Sequence, residues 1–232
     1  MSATIKTFIG VILAPAALAA AWATAAALAP ALARFGVTFP LLAGALACLL
    51  LHAGGRGKRL YVAAHELTHA LAAVASGVRV RKISVKRSSG YVLLDSTNAF
   101  ISLAPYFIPF YTLAAAAGYW LAGRFWDVQP LRPWFLGAAG FTLAFHVLHT
   151  ADILAGPVQS DLKKAGGPVF SLPLLLLLNC LGLAAALKLL FPELLSLKVY
   201  GARVLAAQAA AYKGLFSAAA YIFNTAKIYL QS

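Results

Sequence analysis

The chain has 232 residues, of which 62% are hydrophobic and 11% charged, with a formal net charge of +13. A soluble domain carries about a quarter charged residues, so this composition cannot cover a water-facing surface. The basic excess does not point to nucleic acid: the cations sit in short clusters between apolar runs, where they orient membrane helices and meet anionic headgroups.

Residues 6–33 form the first apolar run, closed by Arg34 and Gly36. Lys6 and Ala-Trp-Ala at 21–23 resemble a signal peptide. The run continues to Leu32, longer than the usual core of 7–15 residues, and reads as a retained span. Pro40 opens a second run to about Ala53. Gly54–Arg59 is a basic, glycine-rich loop without the Gly-Lys-Ser/Thr ending of a phosphate loop. The third segment, Leu60–Ser76, is short for a span, and Gly77 supplies its stop. Val78–Val85 and Tyr91–Leu94 read as a β-hairpin, with Ser88-Ser89-Gly90 as the turn. The fourth segment, about Asn98–Leu121, holds Pro105 and Pro109 and is expected to be kinked or broken. The fifth runs from about Pro133 to Leu154, then a polar loop from Gly156 to Gly167, then a sixth from Val169 to Leu190. The tail, 194–232, is expected to be helical and to lie at the membrane interface.

The expected architecture is an all-α polytopic membrane protein of about six transmembrane segments, with a short β-hairpin after the third. Residues 1–193 form its core, and the lipid bilayer is its first partner. No internal repeat is evident, which argues against inverted-repeat transporters. Cys48 and Cys180 lie in apolar runs and read as small hydrophobes. Lys6 on the inner side places Gly54–Arg59 inside as well, and the site is expected to open toward the cytosol.

The chemistry concentrates in Tyr-Val-Ala-Ala-His-Glu-Leu-Thr-His, residues 61–69. His65 and His69 are four apart, so a helix sets both imidazoles on one face. Two nitrogens one turn apart can reach a single metal ion. Glu66 can flank the ion without binding it and take a proton from water, the logic of H-E-x-x-H zinc peptidases. Ionisable groups inside an apolar segment are expensive and mark function by default. The alternative is a polar cluster, with the histidines on backbone carbonyls and Glu66 paired to a loop arginine.

A catalytic zinc site takes three protein ligands and keeps one position open. The residues alone leave His146, His149, Asp152 and Asp161 as candidates for the third. Asp95 lies in or just after the hairpin, and Asp127 and Glu193 read as solvated interface residues. A fourth strong ligand would favour a non-catalytic metal-binding scaffold. A metal transporter would need acids and histidines spread over several spans, and the chain has only six acids.

His65-Glu-Leu-Thr-His-Ala-Leu71, Ser76-Gly-Val-Arg-Val80, Ile83-Ser-Val85 and Gly90-Tyr-Val92 together resemble the front half of site-2-type intramembrane metalloproteases. The likeness covers residues 60–95 and extends more loosely through Ser102-Leu-Ala-Pro-Tyr-Phe-Ile-Pro109 to about residue 180. It implies a helical membrane core, one Zn2+ per chain bound by His65 and His69, Glu66 as general acid/base, and cleavage of a membrane or membrane-adjacent protein or peptide. For a bacterial chain it implies the cytoplasmic membrane. The family's third ligand is an aspartate, often in Leu-Asp-Gly, which this sequence lacks. Gln159-Ser-Asp-Leu162 resembles the setting in smaller members, which implies Asp161 as the third ligand, with Asp152 next. The same likeness implies that His146 and Asn179 orient substrate or support the ligands.

Overall fold

The computed structural model describes residues 2–86 and 89–231. The chain is mostly helical and carries one two-stranded antiparallel sheet. It divides into two compact units, Met1–Ala31 with Leu172–Ser232, and Leu32–Ser171.

In the first unit, α1 (Ala3–Ala33), α8 (Pro168–Leu190) and α9 (Leu197–Gln231) supply the helices. Alanines of α1 from Ala16 to Ala27 are buried, and small side chains of this kind let helix backbones approach closely. Thr24 on α1 shares a hydrogen bond with Tyr200 on α9, 2.9 Å apart. Asn179 donates to the Leu175 carbonyl of its own helix at 2.9 Å.

The second unit is built on α2 (Phe35–Ala53) and α6 (Arg132–Ala155). Their backbones touch. A Cβ at Gly44 would fall 1.9 Å from the Gly137 carbonyl oxygen, and one at Gly140 would fall 1.9 Å from that of Leu41. Only glycine fits at either position. The outer face of α2 exposes Phe35, Phe39, Leu46, Leu49 and Leu50. Such a surface suits hydrocarbon rather than water.

Four helical stretches are long and apolar enough to cross a membrane: Thr4–Pro30, Phe35–Ala53, Gln129–Ala155 and Pro168–Leu190. A fifth arises if Ala99–Tyr106 and Phe110–Ala122, bent by 78°, count as one span. Of the expected six, four or five meet this test of length and composition among the described residues. The difference lies in α3 (Lys58–Ala75), where Lys58, Arg59 and Glu66 share 18 residues with the two histidines. The broken fourth segment contains α4 (Ala99–Leu103), a 3-10 turn at Ala104–Tyr106 and α5 (Phe110–Ala122). The prolines break it as expected. Pro40, in contrast, lies inside α2 rather than opening it. The tail helix α9 is not among the crossing candidates.

Gly77 ends α3 in the left-handed region at φ 70°, with Val78 N–H donating to Ala73 O at 2.8 Å. That is the Schellman closure. It turns the chain into β1 (Val80–Val85), which pairs with β2 (Gly90–Leu94) around an irregularity between Val80 and Lys82. Of the expected turn, Ser88 lies outside the described residues, as does Arg87 before it, and Gly90 opens β2. Asn98 caps α4 by accepting from Ile101 N–H at 2.8 Å. The polar loop is more ordered than its composition suggested, because Ser160–Ala165 forms a short helix, α7, packed against α4.

Candidate metal centre

α3 places Tyr61, His65 and His69 one turn apart along one stripe. α7 brings Asp161 to that stripe from 92 residues beyond His69. Asp161 Oδ2 lies 3.5 Å from His65 Nε2 and 3.4 Å from His69 Nε2. One ligand atom from each of the three lies within 4.8 Å of the others. These separations are long for N–H···O hydrogen bonds, whose range is about 2.7–3.2 Å. They match the edge of a tetrahedron with ligands at about 2.0–2.1 Å from its centre, which is about 3.3–3.4 Å. The donor set, two imidazoles and a carboxylate, is one that zinc accepts. The triad thus fits a metal ion in chemistry, and its two Asp161 separations fit one in spacing. Among the described residues no fourth His, Cys, Asp or Glu joins it.

Further contacts orient the side chains of the triad. His69 Nδ1 lies 2.8 Å from the Ile101 carbonyl oxygen. As a donor there, it leaves Nε2 with its lone pair toward Asp161, the arrangement that fixes a metal-binding tautomer. The Tyr106 hydroxyl donates to Asp161 Oδ2 at 3.1 Å. The His65 ring meets the edges of His69 and Tyr106, with centroids 4.8 and 5.1 Å apart.

Glu66 is 7% exposed and makes no ion pair with an arginine among the described residues. It borders a cavity of about 610 Å3, together with His65, His69 and Asp161. β2 forms another wall. A Cβ built on Gly90 would stand 2.6 Å from Glu66 Cγ and 2.7 Å from its Oε1, so the hairpin backbone rests directly on the carboxylate. One edge of β2 pairs with β1, and Tyr91–Leu94 line the cavity.

The other candidates fall elsewhere. Asp152 is 63% exposed and pairs with His52 at 3.2 Å, not with the α3 histidines. His149 bonds the Phe145 carbonyl at 3.0 Å through Nδ1 and stacks on Tyr61 at 5.3 Å. His146 lines a narrow gap behind α3, with Ala64 and Thr68, rather than the cavity. Asp95 pairs with Arg81 at the hairpin. Sequence reasoning missed Tyr61, Tyr106, the Ile101 carbonyl and Gly90. Tyr61 stands four residues before His65, a spacing that could have revealed it. Tyr106 carries only the weaker signal of a hydroxyl between Pro105 and Pro109.

No protein-family model, curated protein or solved structure matches this chain.

Proposed function

We propose that the chain is a membrane-embedded, zinc-dependent endopeptidase of the site-2 type, acting on membrane or membrane-adjacent peptides. The observation that carries this reading is the His65–His69–Asp161 triad, whose ligand atoms lie within 4.8 Å of one another beside a buried Glu66. Three ligands rather than four suit a catalytic site with an open position better than a closed structural one.

These three residues would hold the zinc ion, which when bound would supply Lewis acidity toward the scissile carbonyl and toward water. Glu66 is the base that takes a proton from the attacking water. It then gives that proton to the amide nitrogen as the C–N bond breaks, so one water is consumed and an acid and an amine leave. Its low exposure keeps competing bulk water away from the carboxylate. β2 offers an extended backbone beside the cavity, and a substrate drawn out of its helix can add to that edge by main-chain hydrogen bonds. The apolar faces of α2 and α6 keep the unit in the bilayer, where such substrates are found.

The test is proteolysis in liposomes, with purified full-length chain and a mixture of single-span membrane peptides read by mass spectrometry. Zinc-dependent internal cleavage by wild type, lost in Glu66→Gln, is the expected result. Cleavage that is equal in wild type and Glu66→Gln would contradict the reading.

A further inference from the structure

One short segment touches all three metal-ligating side chains. Ile101, at the middle of α4, turns its carbonyl to His69 Nδ1 at 2.8 Å. Tyr106, at the end of the 3-10 turn, donates its hydroxyl to Asp161 Oδ2 at 3.1 Å. The same ring stands edge-on to His65, with centroids 5.1 Å apart and planes at 90°. Tyr106 is 1% exposed and among the largest fully buried side chains of the molecule.

The segment is itself held. Asn98 accepts from the Ile101 N–H at 2.8 Å, and the Thr97 and Ser102 hydroxyls are 3.1 Å apart. Ile101 and Ala104 pack into a core cluster with Ala72 and Ala73 of α3. Pro105 follows directly, and the chain then bends by 78° into α5. Residues 101–106 are thus fixed at one end by a cap, at the other by a break, and along their length by packing on the motif helix.

We infer that residues 101–106 are the outer shell of the metal centre and that Tyr106 is its positioning residue, setting Asp161 and His65 to receive a divalent ion. This deepens the zinc reading and rests on it. The physical reason is that Asp161 arrives on a helix of six residues in a polar loop. A carboxylate on so short an element needs a rigid partner to hold one oxygen on the ligand position. The Tyr106 hydroxyl is that partner. Groups of this kind, once removed, weaken metal affinity about 10–100-fold.

The experiment uses the full chain in detergent, stripped of metal and titrated with Zn2+ against a chromogenic chelator and with Co2+ by its visible spectrum. Tyr106→Phe keeps the buried ring and removes one hydroxyl, so it preserves the packing on His65. It is expected to bind one ion per chain about 10–100-fold more weakly than wild type, with altered Co2+ bands reporting a changed Asp161 ligand. Asn98→Ala, which reaches the same segment through the Ile101 cap, is expected to weaken binding by less. A Tyr106→Phe protein with wild-type affinity and wild-type Co2+ bands would overturn the inference while leaving the zinc reading intact. Wild type that binds neither ion while retaining its helical circular dichroism would overturn both.

Discussion

Two helices of this protein each carry a pair of histidines, and only one pair meets a carboxylate in a triad that could hold a metal ion. On α3, His65 and His69 are four apart; on α6, His146 and His149 are three apart. Burial does not separate them, since His69, His146 and His149 are all buried. Their partners do. Asp161 comes to the α3 pair from another element, and a backbone carbonyl takes the far nitrogen of His69. On α6 the nearest acid, Asp152, pairs with His52, and His149 bonds its own helix and stacks on Tyr61. The α3 pair gains its triad because a second element, α7, delivers a carboxylate and a third, α4, holds the His69 ring. The helix alone does not decide it.

The largest effect should separate the two pairs outright. His65→Ala, His69→Ala or Asp161→Ala is expected to abolish both metal binding and proteolysis, measured by elemental analysis and peptide cleavage. His146→Ala is expected to keep about one zinc per chain, with any loss confined to thermal stability. Metal loss in His146→Ala equal to that in His65→Ala would erase the distinction between the helices.

Glu66→Gln divides binding from chemistry within α3. It should retain zinc and lose about 10²–10⁴-fold in turnover, the contribution of a positioned general acid/base. Gly90→Ala should act in the same direction through position alone. The added methyl would meet Glu66 Cγ and Oε1, and displacement of about 1 Å at a catalytic group can cost 10²-fold in rate. Zinc content in Gly90→Ala should stay at the wild-type level, and a loss of metal instead would place Gly90 in support of the ligands.

The smaller effects concern pH and the hairpin surface. Metal and protons compete for the ligand atoms, and binding the ion releases protons, so occupancy at limiting zinc is expected to fall as pH is lowered. Equilibrium dialysis across pH 5–8 measures this. Arg81→Ala removes an exposed pair with Asp95 and is expected to change cleavage by less than about twofold, since surface ion pairs contribute little.

Much of this half of the molecule was legible from the residues. The i, i+4 histidines define a helical face without any knowledge of the fold. Gly77 and the β-branched runs after it announce the hairpin, and Pro105 with Pro109 announces the broken segment. The acid that completes the triad was not legible in this way. Asp161 is distant in sequence, and local pattern left His146, His149, Asp152 and Asp161 equally open; only the resemblance in Gln159–Leu162 favoured Asp161. Of the expected six spans, α3 alone has no counterpart among the crossing candidates, because it has the length of a near-span but carries Lys58, Arg59 and Glu66. The outer segment escaped notice because a backbone carbonyl, at Ile101, leaves no trace in residue type. Tyr106 looked like one more aromatic in an apolar run. Its role exists only once α7 has folded against α4.

The most direct test is the metal content of the purified full-length chain, comparing wild type with Asp161→Ala, Asp152→Ala and Glu66→Gln. The account predicts about one zinc per chain in wild type, Asp152→Ala and Glu66→Gln, and none in Asp161→Ala. Zinc retained in Asp161→Ala, or no zinc in folded wild type, would contradict it.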